Sequence, residues 1–169
     1  MANRTLVLMR HAKSSWETNE DDIHRPLSSR GKRDAEAAGR YLQELGLSFD
    51  VVLLSPAARV RETWAGLTAA GVTASSERVV DDIYHRDADA IVAAIREAGG
   101  HASTVLVLGH SPTIPETVEL VAERATTKDW FALDTKYPTS GIAVIELDSE
   151  WDNVGDASGR LIAFTVPRG

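Results

Sequence analysis

Three stretches of this chain read as buried strands, and each runs directly into polar residues: "TLVLMRHAKS" from Thr5, "FDVVLLSPAAR" from Phe49 and "STVLVLGHSPT" from Ser103. Patterns of helical period lie between them. In "PLSSRGKRDAEAAGRYLQELG", Ala35, Ala38, Leu42 and Leu45 recur at helical spacing, with Ser28 or Ser29 as N-cap and Gly46 as stop. "SPAARVRETWAGLTAAG" sets Ala57, Val60, Trp64 and Leu67 on one stripe, with Ser55 as N-cap and Pro56 at the first helical position. "RVVDDIY" reads as a weaker strand, "DADAIVAAIREAGG" as a helix and "SPTIPETVELVAERA" as another. "SGIAVIEL" and "GRLIAFTV" follow with no helix between them, which predicts an antiparallel pair. This alternation predicts an α/β fold, a three-layer α/β/α sandwich. Its sheet is mostly parallel, with an antiparallel strand near the C-terminus. Thr126 to Thr139 is expected to be the one long loop, a candidate flap. No shift in composition marks a boundary, so residues 1–169 are expected to form one domain.

A net charge of -7 argues against nucleic acid or an anionic membrane surface as partner, since both would be repelled. Any anion site must then be a local basic pocket. The chain has no cysteine, so thiolate chemistry, disulfides and cysteine-bound metals are excluded. No apolar run reaches the roughly 18 residues of a membrane span, and "MANRTLVLMRH" is too short in apolar residues for a secretory leader. A cytoplasmic protein is expected.

Against that acidic background, cations gather at strand ends. Arg10, His11, Arg59 and His110 all fall just beyond the carboxyl ends of predicted strands, where an open α/β sheet places its ligand crevice. Helix starts bring free backbone N–H groups to the same region. Singly, each residue could be a cap, a core histidine or a surface arginine. Together they predict a site for a phosphate-sized anion. A metal site is disfavoured, because fixed guanidinium charge beside the histidines would repel a cation. His24, His85 and His101 sit in predicted loops and are read as solvated surface. No glycine-rich dinucleotide or P-loop motif follows any strand, and Ser111 lacks the glycines of a nucleophile elbow.

At these residues the chain resembles the histidine phosphatase superfamily, also called the phosphoglycerate mutase-like fold. "LMRHAKS" resembles its R-H-G motif, with Ala12 in place of glycine; "SPAARVRET" resembles its S-P-x-x-R-A-x-x-T segment; "VLGHSPT" resembles its second-histidine motif. "RPLSSRGKRDAEAAGRYL" and "YPTSGIAVIEL" are also similar to family segments, so the resemblance spans nearly the whole chain. The A-K-S ending and the small size look most like the SixA-type phosphohistidine phosphatases. The resemblance implies His11 as nucleophile, forming a phosphohistidine intermediate, with Arg10, Arg59 and His110 holding the phosphoryl oxygens. It implies no metal and no cofactor. Lys13 and Ser14 are candidates for touching the phosphate or the substrate.

Many larger members supply a glutamate that protonates the leaving oxygen. The corresponding stretch here, "VVDDIYHRD", offers only Asp81 or Asp82 as a candidate general acid. A weak acid function favours a phosphoramidate, whose ring nitrogen leaves readily, over an alkyl ester. The favoured partner is therefore a protein carrying phosphohistidine. A small phosphorylated metabolite is the alternative, and a mutase or an idle phosphate-binding module is disfavoured.

Overall fold

Apolar strands covered on both faces can satisfy their backbone groups only by pairing with one another. In the computed structural model, which describes residues 3–169, they do so in one six-stranded sheet. The first two positions of the expected 1–169 span lie outside the described residues. The strands are β1 (Arg4–Arg10), β2 (Phe49–Leu54), β3 (Ala74–Val79), β4 (Thr104–Gly109), β5 (Ile142–Leu147) and β6 (Gly159–Thr165), in the order β3-β2-β4-β1-β5-β6. β4 runs parallel to both β1 and β2, and β2 to β3. β5 is antiparallel to β1 on one side and to β6 on the other. The fold is α/β with a mixed, mostly parallel sheet, as the alternation of runs predicts.

Strand alternation divides the core into two layers. Leu6, Leu8, Val105 and Val107 face α4 (Ala88–Gly99) and α5 (Thr113–Val121). Val7, Met9, Leu106 and Leu108 face α1 (Ser29–Glu44) and α2 (Ala58–Ala69). Ser28 caps α1 by accepting the Gly31 N–H at 3.0 Å, and Asp87 caps α4 by accepting that of Ala90 at 3.1 Å. Gly31 is required by proximity: a Cβ there would lie 2.0 Å from the Lys13 carbonyl oxygen. Among the described residues, no helix is long and apolar enough to cross a membrane.

The structure corrects several expectations. The 126–139 segment is not a flap but carries a helix, α6 (Lys128–Thr135), capped by Thr127. Trp130 and Leu133 are buried from it into the core. Burial of each large apolar side chain contributes about 1.5–3 kcal/mol, which holds a helix too short to persist alone. The strand expected in "RVVDDIY" lies earlier, over β3, and Asp82–His85 form a single helical turn, α3. β3 is an edge strand whose side chains are mostly exposed, so no apolar run marks it. Helix α2 begins after Ser55, with Ala57 at the cap position and no side-chain cap. Leu45 ends α1 exposed to solvent and takes no part in its inward stripe.

Candidate active site

β1 and β4 are adjacent and parallel, yet the helices that follow them, α1 and α5, cover opposite faces of the sheet. Their carboxyl ends therefore diverge and leave a crevice, the usual ligand position in such sheets. A cavity of about 540 Å³ opens there, and Arg10, His11, Arg59 and His110 all line it. The rings of His11 and His110 meet edge to face with centroids 5.3 Å apart.

The last rungs of the sheet hold His11 in place. Its N–H donates to the Gly109 carbonyl at 3.0 Å, and its carbonyl accepts the Ser140 N–H at 3.0 Å. The ring Nδ1 lies 2.6 Å from the Ala12 carbonyl oxygen. A carbonyl can only accept, so Nδ1 carries the proton and Nε2 keeps a free lone pair. Burial pushes the His11 pKa down to about 3, against the Ala12 hydrogen bond and with help from His110, Arg59 and Arg10. At neutral pH the ring is an uncharged base. The Ala12 N–H donates to Thr63 Oγ1 at 3.0 Å, and that hydroxyl donates to the Arg59 carbonyl at 2.7 Å. The chain just after His11 is thereby tied to the first turn of α2.

The arginines are oriented from behind. Arg10 Nη1 donates to the Tyr137 carbonyl at 3.0 Å, just past α6. Arg59 Nη1 donates to the Asp22 carbonyl at 2.7 Å and Nη2 to Asp22 Oδ2 at 3.1 Å. Among the described residues, the buried Nε–H groups of Arg10 and Arg59 have no protein partner. His110 sits between Ser55, whose Oγ is 2.8 Å from Nε2, and Arg59, whose Nη2 is 3.5 Å from Nδ1. Burial first, then Arg59, pushes the His110 pKa down to about 4.

The remaining sequence candidates divide. Lys13 is exposed on the cavity rim. Ser14 is buried and accepts from Arg25 Nη1 at 2.6 Å, so its hydroxyl supports another cation. Asp81 and Asp82 do not line the cavity, and Asp82 faces Arg86 at 3.9 Å. His24 and His101 are exposed; His85 is exposed too, but it reaches the cavity rim beside Tyr84.

Sequence reasoning missed Asp22, Arg25 and Tyr84. Arg25 is buried, with its guanidinium 3.6 Å above the ring of exposed Trp16. Its neighbours reach the site because the 13–15 segment pairs with 26–28: Ser15 N–H to Pro26 O at 2.8 Å and Ser28 N–H to Lys13 O at 2.9 Å. Asp22 Oδ2 also accepts the Tyr84 hydroxyl at 2.7 Å. That bond, with Arg59 and Arg25 beside it, holds the Asp22 pKa at about 2, so the cavity's carboxylate is ionised at neutral pH. The Asp22-x-x-Arg25 spacing was the one available signal, and it reads equally well as a surface ion pair. Among the described residues, no group of three or more His, Asp or Glu side chains is arranged to hold a metal ion.

Comparison with known proteins gives a family. The model described as the histidine phosphatase superfamily (branch 1) matches residues 6–127. An uncharacterised protein of Mycobacterium tuberculosis is 35% identical over 162 residues, covering 95% of this chain and all of the relative. A structure from Nakamurella multipartitia, provisionally assigned as a phosphohistidine phosphatase SixA, superposes with a TM-score of 0.86 at 32% identity, covering 99% of this chain and 98% of that one. The structure of the protein histidine phosphatase SixA complexed with tungstate has the same fold, with a TM-score of 0.79 at 21% identity, covering 96% of this chain and 97% of that one.

Proposed function

This chain belongs to the histidine phosphatase superfamily, and on that premise we propose that it is a metal-independent phosphatase acting on phosphohistidine in a protein. The observation that carries this reading is the 2.6 Å contact between His11 Nδ1 and the Ala12 carbonyl, which leaves Nε2 as a neutral nucleophile among cations. In the proposed reaction Nε2 attacks phosphorus in line. The bond from phosphorus to the leaving imidazole nitrogen breaks, and that nitrogen takes a proton from solvent. Water then attacks the phosphorus held on Nε2, releases inorganic phosphate and returns the lone pair to the ring. In this reading Arg10, Arg59 and His110, which line the cavity, hold the equatorial oxygens as charge develops on them, and fixed guanidinium groups supply the neutralisation that a metal would supply elsewhere.

The choice of substrate rests on what could protonate a leaving group. Asp22 lines the cavity as a carboxylate, and Asp81 and Asp82 lie outside it. An alkoxide leaves poorly without a proton, whereas an imidazole does not need one from the enzyme. The provisional assignment of the Nakamurella protein points the same way. The test is a panel of a phosphohistidine-bearing protein, an aryl phosphate and an alkyl phosphate, assayed with a chelator present. The first two should turn over, and the alkyl ester should lag by roughly a hundredfold or more, the usual worth of a general acid. Efficient alkyl phosphate hydrolysis would favour a small phosphoester as substrate, and dependence on added metal would overturn the mechanism.

A further inference from the structure

Ser55 is fully buried at the end of β2, one residue past the Leu54–Leu108 pairing that aligns β2 with β4. Its N–H donates to the Leu108 carbonyl at 3.2 Å, which fixes it beside the chain that carries His110. Its Oγ meets His110 Nε2 at 2.8 Å and accepts the Ala57 N–H at 3.2 Å. We propose that Ser55 is a positioning residue: its hydroxyl donates to His110 Nε2 and thereby fixes the proton of the neutral imidazole on Nδ1, facing Arg59. This rests on the phosphatase reading for its catalytic meaning, but the proton placement stands on the hydrogen bonds alone.

Two arrangements fit the 2.8 Å contact. In one, Nε2–H donates to Ser55 Oγ. The hydroxyl would then accept from both Nε2 and Ala57, and its own proton would be buried with no acceptor among the described residues. In the other, Ser55 donates to Nε2 while still accepting from Ala57, so the buried hydroxyl proton is used and the hydrogen left over, on Nδ1, belongs to a ring that lines the cavity. A buried hydroxyl proton without an acceptor is costly, so the second arrangement is preferred. The opposing contact is weak: Arg59 Nη2 lies 3.5 Å from Nδ1, at the outer limit of a hydrogen bond, and already donates to Asp22. Nδ1–H and Arg59 are then two donors facing the same space. Donors that cannot bond each other are satisfied together by an acceptor placed between them, and phosphoryl oxygens are acceptors only. A neutral His110 with its proton on Nε2 would instead turn a lone pair toward the anion and repel it.

The test combines tautomer and rate. Long-range ¹H–¹⁵N spectra of the wild-type protein should show His110 protonated at Nδ1, and Ser55→Ala should move the proton wholly or partly to Nε2. In that variant kcat on an aryl phosphate should fall by roughly tenfold to a hundredfold, less than deletion of an oxyanion donor costs, because the imidazole stays in place. Inhibition by inorganic phosphate should weaken alongside, and Ser55→Thr, which keeps a hydroxyl, should recover the wild-type tautomer. A wild-type His110 protonated at Nε2 overturns the proposal without any variant. So does a Ser55→Ala protein with unchanged tautomer and kcat. Absence of phosphatase activity with the Nδ1–H tautomer present would sink the functional reading and leave the proton placement standing.

Discussion

Asp22 carries one negative charge, and Arg59, Arg25 and Tyr84 all donate to it. Its two effects on a phosphatase would oppose each other. It would favour turnover by fixing Arg59, and it would weaken binding by setting a carboxylate beside the proposed phosphate position. Asp22→Asn keeps the shape and the backbone acceptor for Arg59 Nη1 but removes the charge. We expect kcat on an aryl phosphate to fall about tenfold as Arg59 loosens, since small misplacements of a positioning group are expensive. Inhibition by inorganic phosphate should strengthen about threefold, because one like charge has left a partly screened cavity. A variant with both quantities unchanged would remove Asp22 from the site. This residue is not legible in the sequence: an aspartate in a polar run carries no periodicity, and only the pairing of 13–15 with 26–28 brings it to the cavity.

At the scale of elements, legibility follows burial. β1, β2 and β4 are buried on both faces and therefore read as continuous apolar runs, and the ends of those runs point directly to Arg10, His11, Arg59 and His110. Elements that bury few side chains are harder to read. β3, exposed at the edge, shows no alternation strong enough to separate it from the "VVDDIY" that follows. In α6, Trp130 and Leu133 are buried, while Phe131 between them is 75% exposed, so the apolar stripe that marks a helix is missing. The consequence reaches the site. α6 ends at Thr135, and the residues after it bring the Tyr137 carbonyl to Arg10 and the Ser140 N–H to the His11 carbonyl. The expected flap is instead a brace behind Arg10 and His11. Ser55 misleads in another way: Ser-Pro before a helix predicts a cap, yet α2 starts only at Ala58, and the hydroxyl accepts the Ala57 N–H while meeting His110.

For the molecule as a whole, two uncharged imidazoles buried among cations make stability depend on pH. His11 titrates at about 3 and His110 at about 4 in the folded chain, against 6.5 in the ordinary case. Between about pH 4 and 6.5 the unfolded chain binds more protons than the folded one, so stability is full above pH 6.5 and falls as pH is lowered through this window. Asp22, held at about 2, adds loss of the same sign further down as it protonates. With each pKa unit worth about 1.4 kcal/mol, the two histidines together remove about 4 kcal/mol at pH 5, or roughly 10 °C in Tm for a chain of this size. Thermal melts from about pH 7 to 4 should show that decline, and His11→Gln with His110→Gln should flatten it; a wild-type Tm constant over the range would mean the histidines are not buried neutral. Transfer of the phosphoryl group to His11 Nε2, as proposed, can be read by rapid quenching of the enzyme with an aryl phosphate and mapping the bound phosphate by mass spectrometry. An acid-labile, alkali-stable phosphate is expected on His11 and none in His11→Ala; a phosphorylated residue other than His11, or turnover that persists in His11→Ala, would rule out His11 as the group that attacks phosphorus.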